Sequence, residues 1–238
     1  MSSLFFFAYF SGLLKRKEKF EFHYFIRQLV KPGNTVLDIG GNLGYYAISF
    51  GKIVGPNGKV LTVEPVTLFR KVLERNIRKR RLEKTVQIVP FALGSEDNKK
   101  ITLGVPSGNK HFRHGLTKVM EQPGNANDME FQETMMRPDT LFGNLEQLHY
   151  IKCDVEGYEI HIVPELLSVL RKHLPLIQME TDGENRAKII AMLSDLSYEA
   201  HYVLKGKIHR LTGKETFHTG DVLFIPAEKK SSLTHLMA

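Results

Sequence analysis

Val36-Leu37-Asp38-Ile39-Gly40-Gly41-Asn42-Leu43-Gly44 runs from an apolar segment into a glycine-rich turn, and Val60-Leu61-Thr62-Val63 ends in Glu64-Pro65. Glycines after a strand let the backbone approach a ligand, and an acid closing the next strand can accept hydrogen bonds from both hydroxyls of a ribose. Together they point to a cofactor that carries adenosine. A dinucleotide fingerprint reads G-x-G-x-x-G, whereas the spacing here is Asp38-x-Gly40-x-x-x-Gly44. A carboxylate ahead of the glycines repels a diphosphate and tolerates a sulfonium or an amino acid end. The chemistry favoured is that of S-adenosylmethionine rather than of a nicotinamide dinucleotide.

A second constellation is Ile151-Lys152-Cys153-Asp154-Val155-Glu156-Gly157-Tyr158-Glu159. In open α/β sheets, ligands sit beyond the carboxyl ends of the strands, near the point where strand order reverses. Asp154 and Glu156 are expected at such an end, where they can receive the cofactor's ammonium group and act as general base for an acceptor. Glu156 is the first candidate for the base and Asp154 the second. Lys152 is expected to point to the opposite face. His111 and His114, in an irregular stretch, and Glu180 and Asp182, after a later strand, are candidate substrate contacts. Asp154, Glu180 and Asp182 offer oxygen atoms to a divalent ion, but no spacing demands one and the site reads as metal-free.

The elements that must position these residues follow from periodicity and punctuation. Apolar residues at helical spacing run from Phe20 to Val30, and Lys31-Pro32-Gly33-Asn34 ends that helix. Strands are expected at 35–39, 59–63, 85–89, 150–153 and 175–179, alternating with helices at 43–54, 67–79, 159–170 and 185–196. Pro164 is expected to break the helix that contains it. The inner stripe of the helix at 67–79 would use Val66, Leu68, Phe69, Val72, Leu73 and Ile77. A short helix fits 140–148, and two late strands fit 198–204 and 221–225. Ile101–Val105 reads as a short additional strand. The following stretch to about residue 128 has no clear periodicity and reads as a binding loop or lid. The fold class is α/β, Rossmann-like, with a doubly wound, mostly parallel seven-stranded sheet and helices on both faces. A 1–34 apolar and helical cap, a single 35–228 domain and a frayed 229–238 tail complete the organisation.

With 238 residues, 42% hydrophobic and 25% charged, the composition is that of a soluble globular protein. The single cysteine, Cys153, excludes an internal disulfide, fits a reducing compartment and falls in an apolar strand, where a buried structural thiol is expected. The Phe-rich run at Leu4–Leu14 is too short to cross a bilayer, which takes about 20 residues. Lys15-Arg16-Lys17 follows it, so the order of a secretory signal is reversed. A cytoplasmic protein is expected, with peripheral membrane contact through this segment as the sharper alternative to simple packing. The net charge of +7 is concentrated at Arg70, Lys71, Arg75, Arg78, Lys79, Arg80, Arg81 and Lys84, which reads first as the solvated face of a helix.

These segments resemble the FkbM family of S-adenosylmethionine-dependent methyltransferases. The resemblance is carried by VLDIGGNLGYYAISF, VLTVEP, Asn76, VQIVPFALGS, PDTLFGNL, YIKCDVEGYEIHIV, PLIQMET and DVLFIP. It implies a class I methyltransferase fold acting on hydroxyls of sugars, glycans or small metabolites. It also implies cofactor contacts by Asp38, Gly40, Asn42, Gly44, Glu64, Pro65, Ala92 and Asp154. Where the family pattern often carries a second Asp after Thr-Leu, this chain has Phe142, with Asp139 just before it. An RNA methyltransferase is the first alternative, prompted by the basic segment. Asp154-Val155-Glu156-Gly157 stands where an exocyclic-amine methyltransferase shows Asn-Pro-Pro-Tyr, and no basic platform interleaved with aromatics accompanies it, so nucleic acid is disfavoured. A non-catalytic cofactor-binding regulator is the second alternative. Calorimetry should show binding of S-adenosylmethionine and none of NAD; tight NAD binding without the former would overturn the cofactor reading.

Overall fold

The computed structural model describes residues 20–105, 107–108, 111–112, 118–119, 129–213 and 220–238, with side chains described outside 106–128. Strand β1 (Thr35–Ile39) is buried along its whole length, as a parallel strand covered on both faces must be. It pairs on one side with β2 (Lys59–Val63), which pairs with β3 (Val86–Val89), and on the other with β10 (Tyr150–Cys153), which pairs with β11 (Leu176–Thr181). All of these pairs are parallel. β14 (Gly220–Pro226) then inserts antiparallel between β11 and β12 (Tyr198–Leu204). β13 (Lys207–Arg210) forms a hairpin with β12 and adds an eighth strand to the seven expected.

Alternation along the strands sends side chains to two cores. One face, with Val36, Val60 and Tyr150, packs under α1 (Glu21–Leu29), α2 (Tyr45–Val54) and the inner side of α3 (Thr67–Arg78). The other, with Leu37, Ile151 and Ile177, packs under α4 (Pro138–Phe142), α5 (Glu159–His173) and α6 (Gly183–Ser194). Phe142 fills this second core at 1% exposure, so its place in the chain is structural. α5 continues through Pro164 to His173 rather than breaking there.

On α3 the buried stripe is Phe69, Leu73 and Ile77, whereas Leu68 and Val72 stand exposed. Three residues at i, i+4 and i+8 already meet the sheet, and the next positions round the helix turn outward. Nor is the basic segment a uniform solvated face. Arg70 donates to the carbonyls of Glu64 and Pro65 and lies 3.5 Å from Glu133, so it is a structural residue at the helix start.

The expected strand near 101–105 is longer, β5 (Lys99–Val105), and belongs to a second sheet that begins with β4 (Ala92–Leu93). Its antiparallel partner, β9 (Met129–Met136), was not anticipated, because Met, Glu and Gln are weak strand formers and the pattern lacks an apolar alternation. The buried Glu133 explains the pattern. It accepts hydrogen bonds from the Thr67 backbone and hydroxyl at 3.1 Å and caps α3 from a distant strand. Within 106–128, the described backbone forms β6 (Ser107–Gly108), β7 (His111–Phe112) and β8 (Lys118–Val119), the last pairing with β5.

Residues 229–238, expected to fray, are ordered. A 3-10 segment at Ala227–Leu236 buries Leu233 and Leu236 in the first core, and the Ala238 amide donates to the Ile208 carbonyl at 3.0 Å. Among the described residues no helix is long and apolar enough to cross a membrane. Leu236→Ala should cost about 2–3 kcal/mol and lower Tm by roughly 5–10 °C, measurable by thermal unfolding; an unchanged Tm would show that the tail is not docked.

Candidate functional site

The turn between β1 and α2 owes its shape to crowding from behind. A Cβ on Gly40 would stand 1.9 Å from the Asp154 carbonyl oxygen, and one on Gly41 would stand 2.1 Å from Thr62 Oγ1. Gly40 also has φ of +85°, which only glycine adopts readily. The missing side chains let the end of β1 lie directly against the end of β10 and leave bare backbone facing a cavity. Two further contacts hold the turn. Asn76 donates from Nδ2 to the Leu43 carbonyl at 3.0 Å, and the Asn42 amide donates to Glu64 Oε2 at 2.8 Å.

Glu64 closes β2 at 5% exposure, and its other oxygen accepts from the Val66 amide at 2.8 Å, capping α3. Each carboxylate oxygen keeps further acceptor capacity. Burial pushes Glu64 up to about 7, against the lowering effect of these amides and of Arg70. Glu64 thus ties turn, strand and helix together while still facing the cavity.

That cavity has a volume of about 320 Å³, within the range of small-molecule sites. Gly40, Gly41, Asn42, Glu64, Pro65 and Ala92 line one side, and Asp154, Glu156, Glu180 and Asp221 line the other. Three expected residues stand off its wall. Asp38 is fully buried beneath the floor, accepting from Thr62 Oγ1 at 3.0 Å. Gly44 sits behind the turn, where a Cβ would press Leu73. Asp182 is exposed as the residue before α6. His114 and the side chain of His111 lie outside the described residues.

Lys152, expected on the opposite face, lines the cavity, and its Nζ lies 2.8 Å from Asp154 Oδ2. Strand periodicity is two, so residues 152 and 154 share a face. The register sets Thr62, Asp38, Lys152 and Gln178 side by side across four parallel strands. His23 and Tyr46, from α1 and α2, stack at 4.2 Å over this polar row and also line the cavity. Gln178 donates to Tyr46 at 2.7 Å and to Asp221 at 3.0 Å, and accepts from Tyr150 at 2.9 Å.

Electrostatics divides the carboxylates. Burial works to raise Asp154, but the Lys152 charge and hydrogen bonds from Lys152 and Glu180 outweigh it and hold Asp154 below its ordinary value. Glu180 is driven up to about 8 by burial and by the neighbouring Asp154 charge, so at neutral pH it carries the proton that the two acids share. Burial raises Asp221 to about 6 and drops His23 to about 3. His23 is therefore a neutral imidazole at physiological pH.

The sequence reading missed His23, Tyr46 and Asp221. Asp221 was legible only through topology. β14 runs antiparallel, so its first residues arrive where the parallel strands end, and Asp221 pairs with Glu180 in register. No local pattern marks His23, which sits beside the apolar stripe of α1.

The family model for protein-L-isoaspartate(D-aspartate) O-methyltransferases matches residues 20–97. A protein-L-isoaspartate O-methyltransferase from Methanopyrus kandleri is 30% identical over 59 residues, 25% of this chain and 26% of that protein. The match thus spans about a quarter of the length of that curated relative. A methyltransferase FkbM from Methylobacillus flagellatus superposes with a TM-score of 0.52 at 13% identity, covering 82% of this chain and 44% of the other. A putative rRNA-methylase from Clostridium thermocellum gives 0.51 at 10% identity, covering 86% and 91%.

The fold is that of class I methyltransferases. The matched segment contains the glycine turn, Glu64 and Ala92. The bare backbone at Gly40 and Gly41, the acid at the end of β2 and the cavity volume all fit S-adenosylmethionine, the cofactor of this fold. Gly40→Ala should abolish binding of S-adenosylhomocysteine by calorimetry, because the Asp154 carbonyl cannot move without displacing β10. Retained affinity in a folded variant would show that the close approach is not needed.

Proposed function

We propose that this chain is an S-adenosylmethionine-dependent O-methyltransferase whose acceptor is a hydroxyl on a neutral sugar, glycan or small metabolite. The observation that carries this reading is the acceptor-side wall. Asp154, Glu156, Glu180 and Asp221 supply carboxyl groups there, the Lys152 ammonium is engaged by Asp154, and no arginine lines the cavity among the described residues. Carboxyl groups accept hydrogen bonds from hydroxyls and repel anions.

Bound S-adenosylmethionine would supply a methyl group on a cationic sulfur, already activated toward an oxygen nucleophile. The protein's part is then alignment and proton management. Glu64 would accept from the ribose hydroxyls, and the backbone at Gly40–Gly41 and the Asp154 carboxylate would receive the amino acid end. Holding the acceptor oxygen in line contributes an effective molarity that can reach about 10⁵ M or more. Glu156 lines the cavity from the loop after β10, with φ of +57°, a backbone conformation uncommon for a residue with a side chain. The neighbouring Glu159 stabilises that loop by accepting from the Val155 amide at 2.7 Å. Glu156 would take the hydroxyl proton as methyl transfer proceeds.

The match to protein-L-isoaspartate O-methyltransferases favours a second reading, methylation of a peptide carboxylate. That match ends at residue 97, before every carboxylate of the acceptor side, and a carboxylate acceptor would meet like charge there. The segments that resemble the FkbM family include the 154–159 loop, which supports the hydroxyl reading. Incubation with S-adenosylmethionine and carbohydrate or metabolite extracts should give products heavier by one methyl group by mass spectrometry, while isoaspartyl peptides remain unchanged; the reverse result would favour the second reading. Once an acceptor is found, Glu156→Gln should lower kcat by roughly 10²–10⁴-fold with S-adenosylhomocysteine affinity retained, and unchanged turnover would remove Glu156 from the role of base.

A further inference from the structure

Lys152 is an ammonium at 2% exposure, in the middle of a β-sheet. Such a charge persists only where opposite charges and hydrogen bonds replace the water it has lost. Two carboxylates do so from different directions. Above it, Asp154 Oδ2 accepts its hydrogen bond at 2.8 Å, half-buried and facing the cavity. Beside it in the register stands Asp38, at 0% exposure. Asp38 Oδ2 accepts from Thr62, while Oδ1 has no hydrogen-bond partner among the described residues. A buried carboxylate with an oxygen left so exposed to low dielectric needs a nearby positive charge, and Lys152 supplies it. The Tyr46 ring, 4.9 Å from Nζ, closes the remaining side.

We propose that Lys152 is the positioning residue of this site: anchored by Asp38 under the floor, its ammonium holds the Asp154 carboxylate ionised and fixed where the cofactor's own ammonium group is received. The proposal rests on the cofactor reading above and assigns the part of it that no glycine or ribose contact explains. Asp154 is faced by Lys152 from its own strand, Asp38 from β1, Glu180 from β11, Asp221 from β14, His23 from α1, and Glu156 and Glu159 from the loop and helix that follow it. Of these, Lys152 alone is a cation at neutral pH, since His23 is held neutral. Burial by itself would lower the lysine and raise the acid; the Asp154 and Asp38 charges reverse the first effect and Lys152 reverses the second. Without the lysine, burial and the surrounding acids would return a proton to Asp154, and the pocket would lose its receiving charge as pH falls.

Calorimetric titration with S-adenosylhomocysteine across about pH 5–9 tests this, since each unit of pKa shift appears as a tenfold change in affinity below the new value. Lys152→Met should bind about tenfold or more weakly near pH 7, recover toward the alkaline end, and show its acid limb displaced upward by about one unit or more relative to wild type. Glu64 and Glu180 titrate in both proteins, so the displacement is read by difference. Lys152→Arg should restore the wild-type profile. If Lys152→Met does not fold, by circular dichroism, the double variant Asp38→Asn/Lys152→Met removes both buried charges and carries the same expectation. A folded variant with wild-type affinity and an undisplaced acid limb would overturn the positioning role while leaving the cofactor reading intact. Absence of S-adenosylhomocysteine binding to the wild-type protein would sink the cofactor reading itself.

Discussion

The site depends on one unusual economy of charge: a lysine ammonium buried in a sheet, balanced by an acid that faces inward and another that faces the cavity. Burying any one of Asp38, Lys152 or Asp154 alone would be strongly unfavourable. Together, with Thr62, Gln178, Tyr46 and Tyr150 supplying hydrogen bonds and an aromatic face, they form a polar row across the central strands. The row lies on the face covered by α1 and α2, so α1 is part of the site's environment through His23. A sheet floor that contains charge fixes the direction of the field in the pocket above it before any ligand arrives.

Much of the cofactor half could be read from local sequence because its determinants are local. The glycines at 40, 41 and 44, the acid at 64 and the strand at 150–153 each announce themselves within a few residues. The doubly wound order follows from alternating strands and helices, since parallel strands require crossovers. What could not be read was set by partners far away in sequence. Glu133 looks like an ordinary surface residue until β9 brings it to the start of α3, and Asp221 gains its place only because β14 runs antiparallel to β11. The assignment of Lys152 to the opposite face failed for a different reason. Strand periodicity, applied correctly, already puts residues two apart on one side.

Long-range capping is a recurrent device here. α3 begins without a cap from its own N-cap side chain; nearby Glu64 meets the Val66 amide, and Glu133 from the second sheet meets the Thr67 amide. α4 likewise begins under Asp97, which accepts from the Arg137 amide at 2.8 Å and from the Thr140 hydroxyl at 2.7 Å. Such caps lock helices to strands, so the orientation of α3 against the cavity rim is set by the same carboxylate that lines the cavity. Helix capping, the hold on the glycine turn and part of the cavity wall thus converge on Glu64, and a substitution there would disturb all three at once.

The insertion of β14 between β11 and β12 has a consequence for the order in which the protein is assembled. The hairpin of β12 and β13 has no neighbour in the sheet until a strand made later slides in between it and β11. During synthesis from the N-terminus, β3, β2, β1, β10 and β11 can pair as they emerge, while the hairpin must wait at the edge. The carboxylate of Asp221 reaches its partners only at that closing step. The acidic wall of the pocket therefore depends on a strand made after the β12–β13 hairpin, and a chain stalled before β14 would present an open sheet edge in place of a finished site.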